Sequence, residues 1–314
     1  VGAALWANGL YRAAVPLSLH DFDAPRRAAD ASLALVPTGA VLLTNADSVS
    51  FPLAYALYAG PGAAAETRWM AFASSGVPKR VGSAEAAGGW RPADRAALLA
   101  QVRARAAKSG PLTPPAPFPT LPSVPVFTDD AGDRPATARH FLPAGLLFEL
   151  RDAPVSVAEV RAAEAHRRAE QPYLLRPAAP DENRLTRDML GRQHLRRAAY
   201  FFALGMWPEA DGAARLTLTY RPWEGAAWFL LGSCLENEGR PADAAAAYAG
   251  AIDAEPGLDG PRTNLAVLLA TSGRGGEARP LLVEELRLHP ANAEARTNLA
   301  RLDRAFAAGV TNQK

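Results

Sequence analysis

The stretch Gly225–Leu258 reads GAAWFLLGSCLENEGRPADAAAAYAGAIDAEPGL. Two apolar-rich segments flank Glu238-Gly239-Arg240, and Pro256 closes the second. This spacing predicts two short helices and a tight turn. Gly ends a helix readily in the left-handed conformation, and Pro cannot continue one. The landmarks recur. Pro222, Pro256 and Pro290 are 34 residues apart, as are Gly205, Gly239 and Gly273, and Ala210, Ala244 and Ala278. Arg-Thr-Asn-Leu-Ala occurs at 262–266 and again at 296–300, at the same interval. Such a period means stacked units, each burying the face that its neighbour leaves open.

The best copy carries Trp228, Leu231-Gly232, Leu235, Gly239, Ala244, Tyr248, Ala251 and Pro256. This pattern resembles the tetratricopeptide repeat. Gly232 and Ala244 are expected where the first (A) and second (B) helices cross closely, and Tyr248 between neighbouring repeats. The copy at 259–292 has Arg262 in place of Trp but keeps Leu265, Ala266, Gly273, Ala278 and Pro290. The copy at 191–224 keeps Gly205, Ala210 and Pro222, and a lone helix from Ala293, with Asp303 and Arg304, suits a solvated cap. Residues 188–314 are therefore expected to form an all-α solenoid of about three and a half repeats.

The resemblance implies a protein or peptide partner in a groove lined by the A helices. The sixth A-helix position reads Arg196, Leu230, Asn264 and Asn298, so Asn264 and Asn298 are candidates to hold a peptide backbone. A plain solvated helix surface is the competing reading for both. Phe202, Phe229 and Glu236 complete the groove candidates, with Leu195, Ala199 and Ser233 on the same face. The fifth position carries Leu195, Phe229 and Thr263, which excludes the lysine clamp that grips chaperone C-terminal carboxylates.

The first half alternates helix and strand. Helical apolar spacing covers residues 24–36, and Val41–Thr44 reads as a short buried strand. A helix is expected over Ser50–Tyr58, a strand over Arg68–Phe72 and a helix over Pro92–Lys108. Residues 111–125 form a proline-rich connector. Strands at 124–128 and 146–150, with a short helix near 138–142 between them, precede a helix at 155–170. These elements imply an α/β domain over 1–155, a small three-layer fold with a mainly parallel sheet. A helical linker is expected over 156–187.

Nothing in the composition selects nucleic acid. The net charge is +2, and basic and acidic residues are interleaved. The single cysteine, Cys234, excludes an intramolecular disulfide framework. No phosphate loop, dinucleotide fingerprint or nucleophile elbow occurs. The five histidines include no pair at metal-ligand spacing, and the acidic clusters Asp21-Phe22-Asp23 and Asp129–Asp133 read as turns. No metal, cofactor or catalytic residue is assigned, and His140 is read as a helix residue.

The one chemical candidate is the polar knot after the first strand. Asn45, Asp47, Ser48 and Ser50 stand at the carboxyl end of a strand, where open α/β sheets bind ligands. As a site, Thr44–Ser50 would take a nucleotide or sugar phosphate. As plain structure, Asp47 or Ser48 caps the following helix.

The knot also belongs to a longer pattern. Leu42–Tyr55 (LLTNADSVSFPLAY), residues 123–132 (SVPVFTDDAG) and 144–154 (AGLLFELRDAP) together resemble the extracytoplasmic part of bacterial membrane proteins related to protein O-mannosyltransferases. The resemblance implies a soluble region on the periplasmic face of the inner membrane, attached through a membrane-embedded region preceding Val1. In that family glycosyl transfer from a lipid-linked sugar is assigned to the membrane region, so this segment would recruit partners rather than catalyse. Val49 and Ala46 depart from the family's Asp and Gly, which weakens a two-carboxylate site at the knot.

Overall fold

The structure, a computed structural model, describes residues 23–44, 52–53, 56–57, 69–72, 76–108, 124–180 and 182–311. The candidates Asn45, Asp47, Ser48 and Ser50 lie outside the described residues, as do the segment before Asp23 and most of the proline-rich connector. The chain divides into two compact units, Val1–Gly205 and Met206–Lys314.

The first unit contains α1 (Asp23–Ala34), β1 (Val41–Thr44), β2 (Trp69–Phe72), α2 (Gly76–Ala86) and α3 (Pro92–Lys108). After these come β3 (Val126–Thr128), one helical turn at Pro135–Ala138, β4 (Phe141–Ala144), β5 (Leu147–Leu150), α4 (Val157–Glu170) and α5 (Arg184–Ala203). The strands form one sheet in the order β2-β1-β3-β5-β4. β1 runs parallel to β2 and β3, placing Val41 opposite both Trp69 and Val126. β5 runs antiparallel to β3 and β4. Every residue of β1 and β3 is buried, as a central strand covered on both faces requires.

The sheet is thus mixed, which corrects the expectation of a mainly parallel one. The helix expected near 138–142 ends at Ala138, and Phe141 opens a strand instead. Pro143 hid that strand from the sequence, yet it sits on the edge of the sheet, where a missing N–H is tolerated. Gly145, at φ 62°, closes the turn into β5. A Cβ there would lie 2.9 Å from Ser32 Cα, so glycine also permits the close approach of α1. Ser32 uses that approach: its hydroxyl donates to Ala28 O (2.7 Å) and accepts from Leu146 N (3.0 Å). Helix α2 was not foreseen, because Pro78 and Gly82 depress its helical propensity. Gly82 is small for a reason, since a Cβ would stand 2.8 Å from Thr137 Oγ1.

Helix α4 starts with a capping box between Ser156 and Glu159. Both α4 and α5 are built into the first unit by buried polar groups. Tyr200 OH donates to Phe141 O (2.6 Å), and Arg196 Nη1 reaches the Asp129 carboxylate at 2.7 Å. Arg197 pairs with Glu164, donates to Gly145 O (3.2 Å), and lies over the Phe148 and Phe201 rings at 5.8 and 5.6 Å. Glu164 also accepts from Arg167 Nε (3.1 Å) and Nη2 (2.9 Å). Two arginines therefore share one carboxylate in the interior. Burial lowers the Arg167 pKa to about 10 and that of Arg197 to about 9.

His194 is buried beside them. Burial, then the Arg167 charge, lowers its pKa from 6.5 to about 3. The folded state thus resists a proton that the unfolded state accepts below pH 6.5. Stability is expected to fall between pH 6.5 and about 3, by about 1.4 kcal/mol per pH unit, or about 2 kcal/mol between pH 7 and 5. Urea midpoints at pH 7, 6 and 5 measure this, and in His194→Gln that slope should flatten.

The second unit is all helical: α6 (Trp207–Tyr220), α7 (Gly225–Asn237), α8 (Pro241–Ala254), α9 (Pro261–Thr271), α10 (Gly275–Leu288) and α11 (Ala293–Thr311). Helices α6, α8 and α10 begin at 207, 241 and 275 and end at 220, 254 and 288, repeating every 34 residues at both ends. Gly205, Gly239 and Gly273 precede them with φ of 71°, 75° and 81°. Sequence neighbours pack pairwise, α7 on α8 and α9 on α10, with α8 on α9 between the pairs. Ala266, Leu269, Ala278, Leu282 and Ala295 form the buried centre of the last repeats, flanked by Leu265 and Leu302. These hairpins at a 34-residue period form the all-α repeat array that the sequence landmarks predict.

Candidate functional site

The A-type helices of the second unit are α7, α9 and α11, and their contact with the B helices turns on Tyr248. Its ring is fully buried and passes beside Gly232, where a Cβ would sit 2.6 Å from two ring carbons. Gly232 was expected to make room for the crossing of A and B helices; its partner there is the Tyr248 ring. The hydroxyl emerges among polar groups. It donates to Glu236 Oε2 (2.8 Å), lies 3.2 Å from Ser233 Oγ, and accepts from Asn264 Nδ2 (3.1 Å). Ser233 and Glu236 belong to α7, and Asn264 belongs to α9. One side chain from α8 thus joins the A helices of two successive repeats. Burial, with Glu236 adding to it, raises the phenol to about 12, so it remains a neutral donor.

Phe229 stands one turn earlier on α7, its ring 5.8 Å from that of Tyr248, and packs over Gly260. Phe229 and Asn264 are half-buried and Glu236 is exposed, so an aromatic face, an amide and a carboxylate border one surface. That combination can hold an extended chain: the amide and carboxylate match backbone groups, and the ring supplies apolar contact. Asn264 is not merely a solvated residue, because its amide is committed to the Tyr248 hydroxyl. Asn298 is half-buried on α11, and Ser233 is buried. Phe202 is half-buried on α5, in the first unit. The structural use of Tyr248 was read in the sequence as gap filling alone. Ser233 and Glu236, at i and i+3 on the A helix, were the signal for a polar centre.

Other candidate chemistry resolves into structure. His140 is buried between the helical turn and β4, where Glu85 of α2 binds its Nε2, which corrects its reading as a helix residue. Burial pushes the Glu85 carboxyl up, but hydrogen bonds from His140 and from Arg139 (2.5 Å) outweigh it and hold the pKa down. In the acidic segment after β3, Asp130 Oδ1 accepts from Gly132 N (3.0 Å), a turn-closing bond. Cys234 is buried, and burial raises its thiol to about 12, which makes it unreactive. Among the described residues no helix is long and apolar enough to cross a membrane.

No known family profile matches the chain, and no curated protein matches it. Solved structures are similar in part. One is MamA, at 12% identity and a TM-score of 0.37, over 49% of this chain and 87% of MamA. Another is YrrB, described as a TPR protein with an unusual peptide-binding site, at 16% identity and a TM-score of 0.32. That match spans 45% of this chain and 73% of YrrB. At these values the assignment of the repeats rests on their own period and hairpins.

Proposed function

We propose that the chain is a protein-interaction scaffold that holds a partner polypeptide against the A-helix face around Phe229, Glu236 and Asn264. The observation that carries this reading is the Tyr248 hydroxyl, which binds Glu236 and Asn264 from successive A helices and so fixes two polar groups beside an aromatic ring. Preorganised groups lose little freedom on binding, which favours affinity for an extended chain. The test is photo-crosslinking from Phe229 in the host's extract. A specific polypeptide adduct, diminished by Asn264→Ala and Glu236→Ala, is expected; an absence of adducts, or adducts indifferent to both changes, would overturn the proposal.

In the finer form of this reading, the scaffold serves a membrane-anchored, glycosyltransferase-like protein on the extracytoplasmic face of the bacterial inner membrane, recruiting its acceptor. Its support is the resemblance in the first half. The three stretches that carry it contribute β1, β3 and β5, which are consecutive neighbours in the sheet. The reading frame upstream of Val1 tests it: several hydrophobic spans are expected, and a frame without them would sink the membrane context while leaving the scaffold intact.

A further inference from the structure

The B helices keep a small buried residue in their third turn. Thr217 and Ala251, 34 residues apart, are both fully buried. The next copy places Glu285 at this position, also fully buried. Two further exchanges accompany it. Asp259 stands where the preceding copy has Gly225, and His289 where it has Glu255. Three metal-ligating residue types have thus entered one spot of one repeat.

They meet in space. Glu285 lies in the last turn of α10 and His289, four residues on, caps that helix, while Asp259 lies in the turn before α9. One ligand atom from each falls within 4.8 Å of the others. Glu285 Oε1 accepts from Gly260 N (3.0 Å) and Asn292 Nδ2 (3.1 Å), and the same Asn292 amide donates to Asp259 Oδ1 (2.9 Å). Glu285 Oε2 and His289 Nε2 are buried and make no hydrogen bond. A desolvated carboxylate oxygen without a donor is costly, and native structures rarely retain one without a use.

We propose that Asp259, Glu285 and His289 bind a divalent transition-metal ion of the zinc type, fastening the turn before α9 to the end of α10. The donor set selects this class. An imidazole nitrogen with two carboxylate oxygens suits zinc, with water completing a tetrahedron, whereas magnesium and calcium require six or more oxygens. Asn292 and the Gly260 amide act as positioning groups that hold the inner oxygens and aim Glu285 Oε2 at the ion.

The full chain, stripped with chelator and dialysed, is titrated with zinc chloride by calorimetry and followed by thermal unfolding. Saturable binding at one equivalent and an upward shift of the melting temperature are expected, with no comparable shift from magnesium. Glu285→Gln and His289→Gln should each weaken zinc by at least about tenfold, and Asn292→Ala by about 10–100-fold. Cys234→Ser and His166→Gln should leave it unchanged. Glu285→Ala restores the residue of the preceding copy and keeps the repeat folded, yet it should abolish the zinc-induced shift. An absence of saturable zinc binding, or an affinity equal in wild type, Glu285→Gln and His289→Gln, would overturn the proposal.

Discussion

Glu164→Ala is expected to destabilise the first unit by about 3–5 kcal/mol, the cost of stranding buried charge. The carboxylate is the shared ion-pair partner of Arg167 and Arg197, and all three side chains are at most 7% exposed. Its removal leaves two guanidiniums in the interior, with Arg197 still committed to Gly145 O and the Phe148 and Phe201 rings. Glu164→Gln keeps the shape and one acceptor but not the charge, so it should fall between alanine and wild type. Hydrogen exchange at α5 amides reads the effect locally, and urea unfolding gives its size. If the alanine variant keeps wild-type protection along α5, the shared carboxylate is not what holds that helix.

Tyr248→Ala should cost about 3–5 kcal/mol in the second unit, as expected for deleting a fully buried aromatic ring. The cavity would open beside Gly232, which has no side chain to refill it. Tyr248→Phe separates packing from polarity. It retains the ring and loses only the hydroxyl's contacts with Glu236, Asn264 and Ser233, so about 1–3 kcal/mol is expected from the groups left without their partner. Partner crosslinking from Phe229 should fall in the phenylalanine variant even at temperatures where that variant remains fully folded. Wild-type stability and wild-type crosslinking in the phenylalanine variant would assign the hydroxyl no particular part.

The helical half was legible because its landmarks are steric. Gly239 and Gly273 are dictated by a positive φ, and Gly232 by the Tyr248 ring against it, so the period survives in the sequence. In the α/β half, β1, β3 and β5 announced themselves as apolar runs, whereas β4 did not. Pro143 argues against a strand unless the strand is known to lie at an edge, and the edge is a property of the sheet. Pro78 and Gly82 concealed α2 similarly, because Gly82 answers to Thr137, more than fifty residues away. Long-range approach sets such residues, and local propensity misreads them. In the candidate face, Asn264 was visible from its repeat position, but its bond to Tyr248 depends on how α8 threads between α7 and α9. Glu285 could have been found by aligning the copies: a carboxylate in a column of small residues is conspicuous.

The identical bounds of α6, α8 and α10 have a consequence for how this chain can change length. Gly239 and Gly273 have nearly the same backbone conformation, and each is followed by arginine. Joining Gly239 directly to Arg274 therefore splices like onto like, excising one whole module without straining the junction; duplicating residues 240–273 does the reverse. The excision would bring Gly225 to the place of Asp259 beside Glu285 and His289, and would delete Tyr248. The array is thus modular in its backbone but not in its chemistry: the copy between these glycines can be excised as architecture, yet it carries the individuality of the protein.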